Sequence, residues 1–324
     1  MVDKGNVAVI GSGVIGMTTA LSLSLAGYRP VIISKDPYSE TTSAVAAAFW
    51  YPYKAEPKEK TAEWAKYSLA IFKGLAIRSD AGIVWREFLE YFMPDDDLPW
   101  WHSSVEGFSC DELIDLSYGK RKICRYRVPI VDTSIYLSFL NDGLKRANVE
   151  TITVDLSCLE EAFEICKTVV NCSGIGAIKL AKDDDLHPAR GQVVRIKNRP
   201  GLIPAVDLTR EPKIAHAIPR SSDTVLGGTY EEHVYNLEPD AAETTAIIER
   251  CKAICPELAD VTEADILAVA CGLRPVRSVV RVEHERHANG LLFHNYGHGG
   301  AGFTLSWGCA EEIRKMLQEK TPSQ

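Results

Sequence analysis

Three junctions at which an apolar strand runs into a glycine turn, with β-rich stretches between them, predict an α/β (α+β) fold. A Rossmann-like nucleotide-binding domain is interleaved with a second domain. The first junction, residues 6–27, reads NVAVIGSGVIGMTTALSLSLAG. The second closes residues 167–174, and the third spans residues 291–304 and leads into a helix.

The first junction has the order a dinucleotide site needs. Residues 6–10 form a strand, Gly11-Ser12-Gly13-Val14-Ile15-Gly16 the turn, and the following apolar run a helix that stops at Gly27. Gly11 permits the tight turn, Gly13 lets a pyrophosphate approach the backbone, and Gly16 allows close helix–strand packing. The helix N-terminus offers free N–H groups to phosphates. Residues 30–34 are a second strand parallel to the first. At its tip Ser34, Lys35 and Asp36 are candidates for the adenosine ribose, with Asp36 one or two positions beyond the ideal place. Thr41, Thr42 and Ser43 offer hydroxyls at an expected helix start, and an alanine face through Ala47 and Ala48 follows.

Residues 55–131 read as a different region. It has a helix over 64–77, an ambiguous strand or helix over 85–92, an exposed acidic turn at 94–99 and a strand over 124–131. A helix over 133–146 and a β run near 151–156 follow. Residues 167–174 are a buried strand ending at Ser173 and Gly174, the kind of strand end that lines a ligand crevice. Residues 190–230 are β-rich, with a helix near 241–254. The last strand meets the turn at 297–302, which is placed to close over the same cofactor as the first, and a helix runs on to about 318.

The chain has 324 residues and a net charge of −8, with both signs spread along it. No basic block argues for nucleic acid, and no apolar run is long enough to span a membrane. There is no room for a signal peptide before the first strand, and the last residues are not a peroxisomal tripeptide, so the expected location is cytoplasmic. Nine cysteines show no CxxC and no metal-ligand spacing, and no metal is expected. They read as small buried hydrophobes, with one disulfide left open.

Residues 6–16, 41–53, 170–174, Arg190-Gly191-Gln192, Gly272-Leu273-Arg274-Pro275-Val276-Arg277 and 294–308 together resemble the FAD-dependent D-amino-acid oxidase and D-aspartate oxidase family. GLRPVR and HNYGHGGAGFTLSWG carry most of that resemblance, which covers nearly the whole chain and is strongest to D-amino-acid oxidase. It implies non-covalent FAD in a discontinuous FAD-binding domain (1–54, 132–190, 286–324). The substrate domain (55–131, 191–285) would be built on a large mixed β-sheet. It implies oxidative deamination of a D-amino acid by hydride transfer from Cα to flavin N5, with dioxygen as acceptor and 2-oxo acid, ammonia and hydrogen peroxide as products. Leu156 joins the cofactor residues by the same resemblance. Gly299, Gly300, Ala301, Gly302, Phe303 and Thr304 would touch the flavin ring. A homodimer is the expected assembly, with no macromolecular partner.

An enzyme of this kind fixes the substrate carboxylate, a task for a planar, permanently charged guanidinium. The resemblance assigns that role to Arg274, with Arg277 structural. It gives Tyr230 a second hydrogen bond to the carboxylate and Gly300 a carbonyl for the amine. No side-chain acid or base is required. D-Aspartate oxidases tend to carry arginine where this chain has Tyr230, so neutral, apolar substrates are expected. The family usually has tyrosine where this chain has His216, which either meets the carboxylate or faces away. Tyr53, with Trp50 and Tyr51, lines either the pocket or the core. The alternatives are a D-aspartate oxidase, a glycine/sarcosine-type amine oxidase, an NAD(P) dehydrogenase suggested by the first glycines alone, and a catalytically inert binding protein.

Overall fold

The computed structural model describes residues 5–320; residues 1–4 and 321–324, including the terminal tripeptide, lie outside them. The elements in order are β1 (Asn6–Ile10), α1 (Val14–Leu25), β2 (Arg29–Ser34), α2 (Thr42–Val45), α3 (Lys58–Leu75), β3 (Ile83–Phe92), β4 (Glu106–Leu116), β5 (Gly119–Val131) and α4 (Thr133–Arg146). There follow β6 (Glu150–Thr153), α5 (Leu159–Ile165), β7 (Thr168–Asn171), α6 (Ala177–Leu180), β8 (His187–Lys197), β9 (Ala205–Asp207), β10 (Lys213–Pro219) and β11 (Asp223–Thr229). The chain ends with β12 (Glu231–Glu232), α7 (Ala241–Ile254), β13 (Ile266–His287), β14 (Gly290–His298) and α8 (Gly302–Lys320).

All the strands join one mixed sheet, ordered β4-β5-β3-β9-β10-β11-β8-β13-β14-β7-β1-β2-β6, with β12 added on β8. At one end β14, β7, β1, β2 and β6 are parallel. Parallel strands need crossover connections: α1 links the neighbours β1 and β2, and α5 carries the chain from β6 back across β2 and β1 to β7. Val7, Ala8, Val9 and Ile10 are all buried, as a strand covered on both faces requires. The other end is largely antiparallel. There α7 lays Ile247, Ile248, Cys251 and Ile254 on Val194, Ala215, Ala217 and Leu226. The two ends share β13, which pairs with β8 over its first half and β14 over its second.

Several expected elements change in the folded chain. The alanine run is not a helical face, because α2 stops at Val45 and Ala48 has φ 54°. The Val131 N–H donates to Ala48 O and the Trp50 N–H to Pro129 O, so pairing with β5 overrides helix propensity. Residues 83–92 resolve as strand, and β6 ends at Thr153, short of 156. Strand β4 has no counterpart in the sequence reading. Its cysteine, Cys110, forms a disulfide with Cys124 on β5. Cys166, Cys172, Cys251, Cys255 and Cys309 are buried thiols. Asp132 caps α4 by accepting from the Ser134 N–H.

Candidate active site

Because β1, β2, β6, β7 and β14 are parallel, their C-terminal ends share one edge, and the candidate cofactor residues lie there. Gly11 follows β1 at φ 107°, its N–H donates to Ile33 O, and a Cβ on it would sit 2.5 Å from Cys172 O. At Gly16 the conflict is sharper: a Cβ would lie 1.9 Å from Gly11 O. Gly13 is the N-cap of α1 and contributes no side chain, while Val14 N–H donates to Ser43 Oγ at 3.0 Å. The first turn of α1, with Ile15, carries no acidic residue, so nothing there opposes an anion. A bare glycine cradle beside the positive end of a helix fits the pyrophosphate of FAD.

Around that cradle the hydroxyls of Ser12 and Ser34 converge on Asp36 O, each at 2.9 Å. The Asp36 carboxylate and Lys35 ammonium sit 3.5 Å apart at the exposed tip of β2. Thr41 donates to Tyr38 O, and Thr42 to Leu273 O, tying α2 to β13. Buried Ala47 and Ala48 bring the chain back toward β5. Leu156 follows β6, is buried, and accepts at its carbonyl from Lys179. Ser173 after β7 donates from N and Oγ to Asn171 Oδ1, and Gly174 has φ 56°.

The third junction closes on the first. A Cβ on Gly302, the first residue of α8, would be 3.9 Å from Val14 in α1. Gly299 has φ 52°, and Ala301 and Phe303 are buried. The Thr304 hydroxyl is committed to Tyr51, accepting from its N–H and donating to its carbonyl, both at 2.9 Å. Tyr51 in turn donates to Glu90 Oε1 at 2.5 Å, and Tyr126 to Oε2 at 2.9 Å. Burial pushes the Glu90 carboxyl up to about 8, against the pull of those two phenols. Trp50 is a core residue, its indole N–H donating to Ala65 O.

The substrate candidates assemble where two glycines remove side chains. The Arg274 guanidinium lies over Gly191, where a Cβ would be 2.2 Å from Nη1. The His216 imidazole lies over Gly227 in the same way. Arg274 donates to Thr229 O at 3.0 Å and has no carboxylate partner among the described residues. Burial holds it below the usual arginine range, with Tyr53, Tyr230 and Glu211 pulling the other way. Its guanidinium carbon is 5.6 Å from the Tyr230 ring centre, and the Tyr53 ring meets that of Tyr230 edge-on at 5.7 Å. Gly300 faces both Tyr53 and Arg274. Burial and the nearby Arg274 and Arg250 charges hold the imidazole of His216 down to about 3, so it is neutral, and its Nε2 has no partner. His216 therefore points inward beside Arg274. Arg277 is bound away from the cleft, to Asp183.

Two residues at the mouth escape the sequence reading. Glu211 accepts from the Tyr53 phenol and from Lys54 Nζ, and Lys54 lies 4.3 Å from the Tyr230 ring centre. A glutamate before a proline carries no pattern that marks it. Among the described residues no helix is long and apolar enough to cross a membrane.

A family model described as FAD dependent oxidoreductase matches residues 6–316. A D-amino-acid oxidase from Rubrobacter xylanophilus is 41% identical over 95% of this chain and 94% of its own length. A D-aspartate oxidase from Homo sapiens is 30% identical over 98% and 96%. A crystal structure of glycine oxidase from Geobacillus kaustophilus superposes with a TM-score of 0.80 at 16% identity, covering 98% of this chain and 95% of that one, a likeness of fold. With glycine cradle, closing turn and whole-length match in agreement, the chain belongs to the family of FAD-dependent oxidoreductases.

Proposed function

We propose that this protein is a D-amino-acid oxidase acting on neutral, apolar D-amino acids. The balance is D-amino acid plus dioxygen plus water, giving 2-oxo acid, ammonia and hydrogen peroxide. FAD, when bound, accepts the hydride from Cα. The carrying observation is the Arg274 guanidinium, unpaired by any described carboxylate, set over Gly191 between Tyr230 and Gly300. A partly buried cation without an anion is unfavourable unless a ligand supplies one. In this reading a substrate carboxylate sits on Arg274 beside Tyr230, and the amine takes the carbonyl of Gly300, a residue lying against Tyr53 and Arg274. Fixing both ends of the amino acid orients Cα, and orientation is the protein's main contribution to hydride transfer.

Tyr53 and Tyr230 give the pocket aromatic walls, which favours apolar side chains. D-Aspartate oxidation is the second reading, supported by the Lys54 ammonium beside Tyr230. Glu211 already neutralises that lysine, which favours the first. The division into FAD and substrate domains, a homodimer and cytoplasmic residence belong to the same proposal. Anaerobic addition of D-alanine, D-valine, L-alanine and D-aspartate to the FAD-loaded protein tests it. Bleaching of the flavin by the neutral D-isomers alone is expected. Bleaching chiefly by D-aspartate would overturn the substrate class.

A further inference from the structure

We propose a divalent-cation site, suited to zinc, formed by His187, Glu232 and His233 beside the substrate cleft. His187 opens β8, Glu232 closes β12, and His233 follows in the turn. β12 pairs with β8 through Glu232 opposite Ala189, and the His233 N–H donates to Pro188 O at 2.8 Å. One ligand atom from each of the three side chains lies within 4.8 Å of the others. His187 Nε2 is buried and lacks any hydrogen-bond partner; in the tautomer with its proton on Nδ1 it offers a lone pair that a bound ion would take up. Glu232 and His233 are exposed, which leaves entry from solvent open.

The ligand chemistry selects the ion. Two imidazoles and one carboxylate, with a fourth position for water, suit Zn²⁺ or its late transition-metal neighbours. Mg²⁺ and Ca²⁺ prefer all-oxygen sets. The His187 and His233 rings stack, with centres 4.3 Å apart and planes 21° apart. A metal–nitrogen bond lies in the ring plane, so a shared ion makes the rings splay, and exposed His233 is the one free to swing.

The site adjoins the cleft through the sheet: Glu232 pairs with Ala189, and Ala189 pairs on its other side with Arg274. A divalent cation held there adds positive charge two strands from the guanidinium that takes the substrate carboxylate, which favours an anion in the cleft. This coupling rests on the proposed role of Arg274; the site rests on its three ligands alone.

The test is calorimetric titration of Zn²⁺ into FAD-loaded, chelator-stripped full-length protein, beside the same titration with Mg²⁺. We expect about one zinc per chain, no binding of Mg²⁺, and at least ~10-fold weaker zinc binding in both His187→Gln and His233→Gln. His233→Gln changes an exposed turn residue, so it remains informative if His187→Gln fails to fold. Its KM and kcat without metal should match the parent. Zinc should lower the KM for D-alanine severalfold in the parent and not in His233→Gln. No zinc binding, or undiminished binding in His233→Gln, overturns the site. Zinc bound at these ligands with KM unmoved overturns the coupling. A protein that oxidises no D-amino acid leaves the calorimetric result standing and removes only the KM arm.

Discussion

Arg274 and Glu90 show how single side chains take their properties from what surrounds them. Arg274 presents two donors in a plane, and lysine cannot. Arg274→Lys should lower kcat/KM for D-alanine by roughly 10²–10³-fold, mostly through KM, with bound flavin retained; steady-state rates and the visible spectrum check this. His216→Phe tests whether the unpartnered imidazole contributes to binding. Since His216 is neutral from about pH 3 upward, its removal should leave the pH dependence of kcat/KM between 6 and 9 unchanged even where it raises KM. Glu90 acts on stability. Its carboxyl is raised from an ordinary value of about 4.3 to about 8, so the folded chain holds a proton that the unfolded chain has released. Stability from this group is full below about pH 4, falls as pH rises through about 8, and levels off above. Glu90→Gln should flatten that decline, read by urea unfolding at several pH values.

At the scale of elements, the glycine cradle was legible because each glycine answers a backbone conflict that spacing alone announces. Gly16→Val sets side-chain atoms against Gly11 O, so α1 must shift from β1, and the variant should purify with little flavin and regain it only weakly on adding FAD. Helices α7 and α4 were also readable in the sequence, near 241–254 and over 133–146. The short α2 was not, because Ala46, Ala47 and Ala48 favour helix locally and lose to long-range pairing with β5. Arg274, Tyr230 and Gly300 were legible through motif resemblance and not through pattern. Glu211, Lys54 and the His187–Glu232–His233 group were not, since their meaning arises only when distant segments meet. The inward aim of His216 needed the register of β10 against β11, which places Gly227 opposite it.

At the scale of the molecule, one sheet links the cofactor edge to the substrate pocket. The candidate FAD residues are drawn from widely separated segments, so FAD binding at them should stabilise the fold as a whole. At about 100 times Kd it adds about 2.7 kcal/mol, seen as a Tm rise of several degrees on adding FAD to apoprotein. Strand β13 carries a further consequence. Val276 is its handover point, paired with His187 on one side and His298 on the other, and Arg274 lies two residues earlier. A slip of one residue in β13 would turn Arg274 to the opposite face. Gene shuffling with relatives therefore has a forbidden zone: a crossover within 266–287 joins two halves of one strand from different parents. Viable chimaeras should inherit that strand, and the orientation of its arginine, from a single ancestor.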